Sequence, residues 1–228
     1  MTAHYPDFVE RAEAISGEDG RLADPRPGVY GRAFKRLLDI LAVLAAAPVV
    51  LPVVAVLALL VARDGHAPFF RQARVGRGGR IFTLWKLRSM VPDAEARLAG
   101  YLAGNPAARA EWNTTQKLKR DPRITRFGNF LRKTSLDELP QLWNVLTGDM
   151  SLVGPRPMMP EQQPLYPGRA YYALRPGITG FWQISERNES TFAARAEFDA
   201  AYARSLSLAT DVKVLVATVG VVTRGTGY

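Results

Sequence analysis

Asp121 to Pro157 reads DPRITRFGNFLRKTSLDELPQLWNVLTGDMSLVGPRP, and the rest of the chain is best approached outward from it. Ser135 and Glu138 stand at capping-box spacing, and Leu136, Leu139, Leu142, Trp143 and Leu146 follow at helical intervals. The spacing predicts a helix that starts near Leu136, carries Asp137 and Glu138 in its first turn and stops at Gly148. Pro140 is close enough to that start to be tolerated. Acidic residues at a helix N-terminus often do no more than complement the macrodipole. Here Arg132 and Lys133 come just before them, and Gly154-Pro155-Arg156-Pro157 follows. Two carboxylates among so many fixed cations suit a magnesium-bound diphosphate. Mg²⁺ takes one or two carboxylates plus phosphate oxygens, while arginine clamps the remaining phosphate charge. A carboxylate can also attack phosphorus to give an acyl phosphate.

Upstream, Phe69-Phe70-Arg71-Gln72-Ala73-Arg74-Val75-Gly76 leads into a Gly78-Gly79-Arg80 turn, and Ile81 to Lys86 reads as a short strand. Lys86 and Arg88, two residues apart, would share one face of an extended chain. Val91 to Ala110 fits an amphipathic helix interrupted at Gly104-Asn105-Pro106, equally suited to a membrane interface or to ordinary core packing.

Further upstream, Ile40 to Ala62 is an uncharged apolar run, ILAVLAAAPVVLPVVAVLALLVA. As a straight helix it would measure roughly 34 Å, enough for a bilayer core of about 30 Å. Pro48 and Pro52 sit inside it, and each removes a backbone donor, so a kink is expected there. Arg21, Arg26, Arg32, Lys35 and Arg36 precede the run; Arg63, Arg71, Arg74, Arg77 and Arg80 follow it. Positive flanks stay cytoplasmic, and neither side outweighs the other. A re-entrant hairpin with both ends on one side satisfies that balance, and a kinked spanning helix is the alternative. Val212 to Val222 is shorter, contains Lys213 and reads as a buried or interfacial helix. The first 29 residues mix charges, glycine and proline without periodicity and lack a secretory signal pattern; a partly ordered polar tail is expected.

Downstream, Arg175-Pro176-Gly177-Ile178-Thr179-Gly180 is built from loop residues, Phe181 to Ile184 looks like a strand with Arg187 beyond it, and Thr191 to Arg204 is helical, carrying Glu197, Asp199 and Tyr202. The 228 residues contain no cysteine, which excludes thiol catalysis and disulfides. The two histidines, His4 and His66, fall in polar or turn-like stretches and give poor support to a metal cluster or a serine triad. Chemistry falls to carboxylates, lysine and arginine. A formal charge of +9 favours partners bearing phosphate: nucleic acid, anionic membrane lipid or phosphorylated small molecules. No nucleic-acid-binding motif is present, so nucleic acid is not expected as a partner.

From about Lys35 to Tyr228 the sequence resembles the bacterial sugar transferase family, the monotopic phosphoglycosyl transferases. The resemblance lies in Lys35-Arg36-Leu37-Leu38-Asp39, the FRQARVG and KLRSM segments, TSLDELPQLWNVLTGDMSLVGPRP, RPGITGFWQIS and EFDAAY. It implies a mixed α/β, mostly helical protein at the cytoplasmic face of the bacterial inner membrane. The expected parts are a polar tail over 1–31, a re-entrant membrane hairpin over 32–66 and a catalytic domain over 67–228. It further implies transfer of a sugar-1-phosphate from a UDP-sugar to polyprenyl phosphate through a phosphosugar–aspartate, with Mg²⁺ assisting and UMP released. By that likeness Asp137 is the nucleophile and a magnesium ligand, and Glu138 positions the metal or handles protons. Lys86, Arg132, Arg156, Arg175 and Arg187 hold phosphates, and Pro48 is the helix-breaking proline. UDP-glucose or UDP-galactose is the favoured donor, and a homodimer is compatible with the likeness. The chain departs from the family pattern twice. Ala47 stands where a serine often precedes the proline, with Pro52 as compensation, and Glu186 stands where a glycine often precedes the arginine matched by Arg187. The likeness is to the short form, without the multi-helix domain of larger members. Two other readings fit parts of the pattern: a magnesium-dependent membrane phosphohydrolase, and a basic membrane-anchored scaffold without activity.

Overall fold

A computed structural model describes residues 30–115, 118, 120–185 and 192–223. After a π-helical turn at Tyr30–Phe34, helix α1 runs over Lys35–Ala62. Strands β1 (Phe69–Val75) and β2 (Ile81–Leu87) pair in a two-stranded sheet. Helices α2 (Ala94–Gly104), α3 (Pro106–Thr115), α4 (Arg126–Lys133) and α5 (Gln141–Thr147) follow, then β3 (Ser151–Val153), α6 (Ala170–Ala173), β4 (Gly177–Thr179), α7 (Phe181–Ile184), α8 (Arg195–Ser205) and α9 (Leu208–Thr223). The protein is therefore mixed α/β and mostly helical, as its sequence suggested.

Helix α1 is assigned without interruption through Pro48 and Pro52. Only 11% of its most apolar window is buried, which separates it from the core helix of a soluble protein and suits a lipid surround. His66 lies in the turn after it and is exposed, while His4 and the polar tail fall outside the described residues. The helix expected over Val91 to Ala110 is broken at Asn105, where Pro106 begins α3.

The chain folds as two compact units. The first draws on Met1–Pro48, Arg71–Trp85 and Gln141–Val221. One cluster of its core joins Val43 of α1 to Phe82 and Leu84 of β2 and to Val145 and Met150. Asn144 ties α5 to β2 at both ends of its amide, accepting from the Trp85 N–H at 3.1 Å and donating to the Thr83 carbonyl at 2.7 Å. Strands β3 and β4 run parallel, Ser151 opposite Gly177 and Val153 opposite Thr179. The start of α1 is held by polar bonds. Asp39 accepts from Ser151 Oγ at 2.6 Å, and Lys35 bonds Asp211 at 2.6 Å, which also accepts from Tyr30 and Tyr202. Helix α9 buries Asp211 and Val214 and leaves Val212, Val216 and Val219 exposed.

Helix α5 leaves Trp143 60% exposed and buries Gln141, Asn144 and Val145. Two expectations are corrected in this unit. Phe181–Ile184 is a turn of helix; Phe181 and Ile184, three apart, pack together against Val153, Tyr202 and Val214. The four residues Phe-Trp-Gln-Ile are too few to fix a period, and packing chose the helical one. The helix expected from Thr191 begins at Arg195, Thr191 itself lying outside the described residues.

The second unit draws on Val49–Phe70, Lys86–Pro140 and Val222–Tyr228. Leu57 and Val61 of α1, Leu87 and Leu131 form its core, with Phe127, Leu136 and Leu139 packed against it. Thr125 caps α4, its hydroxyl accepting from the Gly128 N–H at 2.8 Å. Gly128 is required by packing: a Cβ there would lie 1.9 Å from the Ser89 carbonyl oxygen. Helix α4 is not among the elements expected above, although Thr125 three residues ahead of a backbone it caps is the local signal for it.

Candidate active site at the Asp137–Glu138 turn

Four of the seven expected charged residues come together in the second unit. The predicted helix from Leu136 is divided: Leu136–Glu138 is a single 3₁₀ turn, and α5 starts only at Gln141. Pro140 has no N–H to return to the Leu136 carbonyl, so that carbonyl takes the Leu139 N–H three residues on, at 3.3 Å. The expected capping box is absent as well. Ser135 sits at φ +56°, the one non-glycine residue with positive φ among those described, and makes no side-chain cap. The Glu138 carboxylate has a different partner, accepting from Lys86 Nζ at 2.7 Å.

Leu136 and Leu139 pin this turn from either side by packing on Leu131, Leu87, Leu57 and Val61. The two acids between them are thus placed by apolar burial. Asp137 is only 7% exposed. Burial pushes its pKa up from the ordinary aspartate value, Lys86 opposes that shift, Glu138 adds to it and Arg132 opposes it. Arg132, in the last turn of α4, donates through Nε to Ser89 Oγ at 3.1 Å. Burial pulls its pKa down, with the Asp137 charge as the main opposing influence. Lys86 and Arg88 do not form the shared basic face that their spacing allowed. Arg88 lies beyond the end of β2 and donates to the Val61 and Ala67 carbonyls and to both Asp64 oxygens, clamping the end of α1. Its hydrogen bonds hold the Asp64 pKa down to about 2.

Among the described residues no group of three or more His, Cys, Asp or Glu side chains is arranged to hold a metal. One buried carboxylate beside another does fit a hard divalent cation that brings phosphate and water oxygens with it. A resident cage does not fit.

The other expected residues stand in the first unit. Arg156 stacks on Trp182, its guanidinium carbon 5.6 Å from the ring centre, and Arg195 stacks on the same indole at 4.2 Å. Burial, followed by the charge of Arg156, lowers the Arg195 pKa to about 10. Arg175 donates through Nε to the Gly148 carbonyl at 3.0 Å. Arg187 lies outside the described residues, and Pro48 and Pro52 are within α1. Ser89 and Trp182 fall within the KLRSM and RPGITGFWQIS blocks without a role of their own there, and Arg195 lies outside every block; each is brought to its partner only by folding.

The comparisons agree with the resemblance read from the sequence. A family model described as bacterial sugar transferase matches residues 30–225. The UDP-galactose-lipid carrier transferase of Erwinia amylovora is 47% identical over 198 residues, 86% of this chain and 42% of that protein. The undecaprenyl-phosphate galactose phosphotransferase of Salmonella typhimurium is 45% identical, with the same coverage of each. The exopolysaccharide production protein ExoY of Sinorhizobium fredii is 42% identical over 197 residues, 86% of each chain. The chain thus spans less than half the length of the first two relatives and most of the third.

Proposed function

The chain belongs to the bacterial sugar transferase family, and we propose that it transfers a sugar-1-phosphate from a UDP-sugar to polyprenyl phosphate as an opening membrane step of exopolysaccharide synthesis. The observation that carries this reading is the buried Asp137 beside Glu138, with Lys86 and Arg132 within electrostatic reach. An Asp137 oxygen bonds to the β-phosphorus of the donor as the bond from that phosphorus to the bridging oxygen breaks, and UMP leaves with the electron pair. An oxygen of polyprenyl phosphate then bonds to the same phosphorus, and the bond to Asp137 breaks. With both phosphates as dianions, one phosphoanhydride is broken, one is made, and no net proton is exchanged.

Lys86 holds Glu138 in place by its 2.7 Å bond, and Arg132 balances charge next to the nucleophile. Mg²⁺, bound through Asp137 and phosphate oxygens, would supply further neutralisation of the diphosphate. Arg156 and Arg187 are proposed as additional phosphate ligands; Arg175, expected with them, bonds the Gly148 carbonyl instead. Two of the relatives are named for galactose, which supports UDP-galactose, with UDP-glucose, as the donors to try first. The exposed apolar surface of α1 supports a membrane anchor, and its equal basic flanks favour the re-entrant form with both ends at the cytoplasmic face.

The test is UMP release from a panel of UDP-sugars, with and without undecaprenyl phosphate and Mg²⁺. A stoichiometric burst without acceptor and turnover with it are expected. No UMP from any donor would remove the proposal, and steady release without acceptor would reassign the protein as a phosphohydrolase. Cysteines placed near residues 20 and 75 should label from the same side of the membrane. Labelling from opposite sides would replace the hairpin with a spanning helix.

A further inference from the structure

The first unit contains a second concentration of positive charge that shares no residue with the Asp137–Glu138 turn. Arg77, Arg80 and Arg175 line a concave site of about 340 Å³, together with Gly78, Gly148 and Asp149. Arg36 reaches the same corner. It donates to the Val145 and Leu146 carbonyls, and its guanidinium would be 3.4 Å from a Cβ on Gly148. Three guanidinium groups thus line the site and a fourth, Arg36, stands beside Gly148 at its edge; Asp149 is the single carboxylate of the lining among the described residues, and it already bonds Arg80 at 2.9 Å and the Thr147 hydroxyl at 3.0 Å. Burial lowers the Arg175 pKa first, and the charges of Arg36, Arg77 and Arg80 lower it further, opposed in part by Asp39.

Part of this arrangement has a structural explanation. Arg36 and Arg175 satisfy carbonyls at the C-terminal end of α5, where a cation is favourable. That does not account for Arg77 and Arg80, which are exposed on the turn Gly76-Arg77-Gly78-Gly79-Arg80. Gly78 and Gly79 have φ of +69° and +80°, and nothing stands within 4 Å of where their Cβ atoms would be. The two arginines are therefore presented from a turn with no side chains between them, leaving its backbone open to a small anion.

The location argues for the source of that anion. Arg36 is in the first turn of α1, and the exposed Leu37, Leu41 and Leu44 follow it directly. Arg36, beside Gly148 of the pocket, thus stands at the start of an apolar, lipid-suited helix, where a lipid headgroup would be met. We propose that Arg36, Arg77, Arg80 and Arg175 bind a phosphate group, carried on the headgroup of an anionic membrane lipid.

The test is the thermal stability of the full chain in nanodiscs of phosphatidylcholine, titrated with phosphatidylglycerol in one arm and with inorganic phosphate in the other. A ligand of the folded state raises Tm by mass action. Phosphatidylglycerol should raise Tm by several degrees in the wild type and by much less in R77A/R80A. Both of those side chains are exposed, so the substitutions should leave folding intact. R97A/R204A, which removes the same charge elsewhere, should keep the full response. An equal rise with millimolar inorganic phosphate in neutral discs would keep the phosphate site and assign it to a soluble ligand. An unchanged response in R77A/R80A, or an equal loss in R97A/R204A, would overturn the proposal. The readout needs no turnover, so its failure is separable from failure of the transferase reaction.

Discussion

The Asp137–Glu138 turn and the arginine pocket both gather cations, but they balance them differently. At the turn, Lys86 bonds Glu138, and Arg132 and Asp137 each moderate the other's titration. In the pocket, Arg36 and Arg175 are met by neutral helix-end carbonyls, and among the described residues Asp149 is the single carboxylate of the lining, with Asp39 acting on Arg175 from nearby. The first arrangement neutralises itself, so its side chains hold position before any substrate arrives. The second keeps an excess of positive charge, which a bound anion would offset. Electrostatic preorganisation suits a reaction centre, whereas uncompensated charge suits a binding site.

The largest effect expected on this contrast is from Asp137→Asn. Turnover, read as UMP release, should fall by roughly 1,000-fold or more, the scale of losing a nucleophile. Stability should move the other way. Burial raises the Asp137 pKa, so its ionised form costs folding free energy above the unfolded-state pKa. That cost grows as pH rises through the raised value and is constant beyond it. The Tm of the variant should therefore match the wild type in acid and exceed it towards neutral pH. A variant less stable at neutral pH would show that the turn stabilises its carboxylate after all. In the active enzyme, the acid limb of kcat/KM should lie above the ordinary aspartate value.

Next in size is the Lys86–Glu138 pair, whose side chains are each 21% exposed. Lys86→Met or Glu138→Gln alone should cost about 1–2 kcal/mol in urea unfolding, because each removes a charge-assisted bond from a mostly buried site. The double variant should recover part of that loss but not the activity. Additive losses would mean the pair is not coupled.

Arg175→Ala should be milder, at about 1 kcal/mol, since the lost bond to Gly148 is partly offset by relief of repulsion from Arg36 and Arg77. Salt screens that repulsion, so raising ionic strength should stabilise the wild type more than the variant. Equal salt responses would deny the pocket its excess charge. Smallest is Ser135→Gly. A left-handed serine costs about 1–2 kcal/mol, and glycine returns about 0.5–1 kcal/mol of that as chain entropy. A net gain below about 1 kcal/mol in Tm-derived stability is expected, and a loss would assign Ser135 a contact beyond its backbone.

Several elements are legible in the residues alone because their signals are local. The apolar run that becomes α1, strand β2, the break before Pro106 and the stop at Gly148, with φ +92°, all follow from residue type and spacing. So does the concentration of Asp137, Glu138 and Arg132 within a few residues of one another. The capping box that the spacing predicts at Ser135 does not form, because its acid is claimed by Lys86, 52 residues away, and because Pro140 interrupts the turn.

By itself the sequence determined the family, through the motif blocks it shares with it, and the membrane-suited helix, through composition; short-range spacing also set two acids beside a run of cations. Tertiary structure alone decided which cation meets which carboxylate, that Ser89 holds Arg132, that one indole is shared by Arg156 and Arg195, and that a glycine turn and a helix end build a pocket of arginines. Charge pairing and burial arise between residues far apart in the chain, so they come into being only when packing brings those residues together.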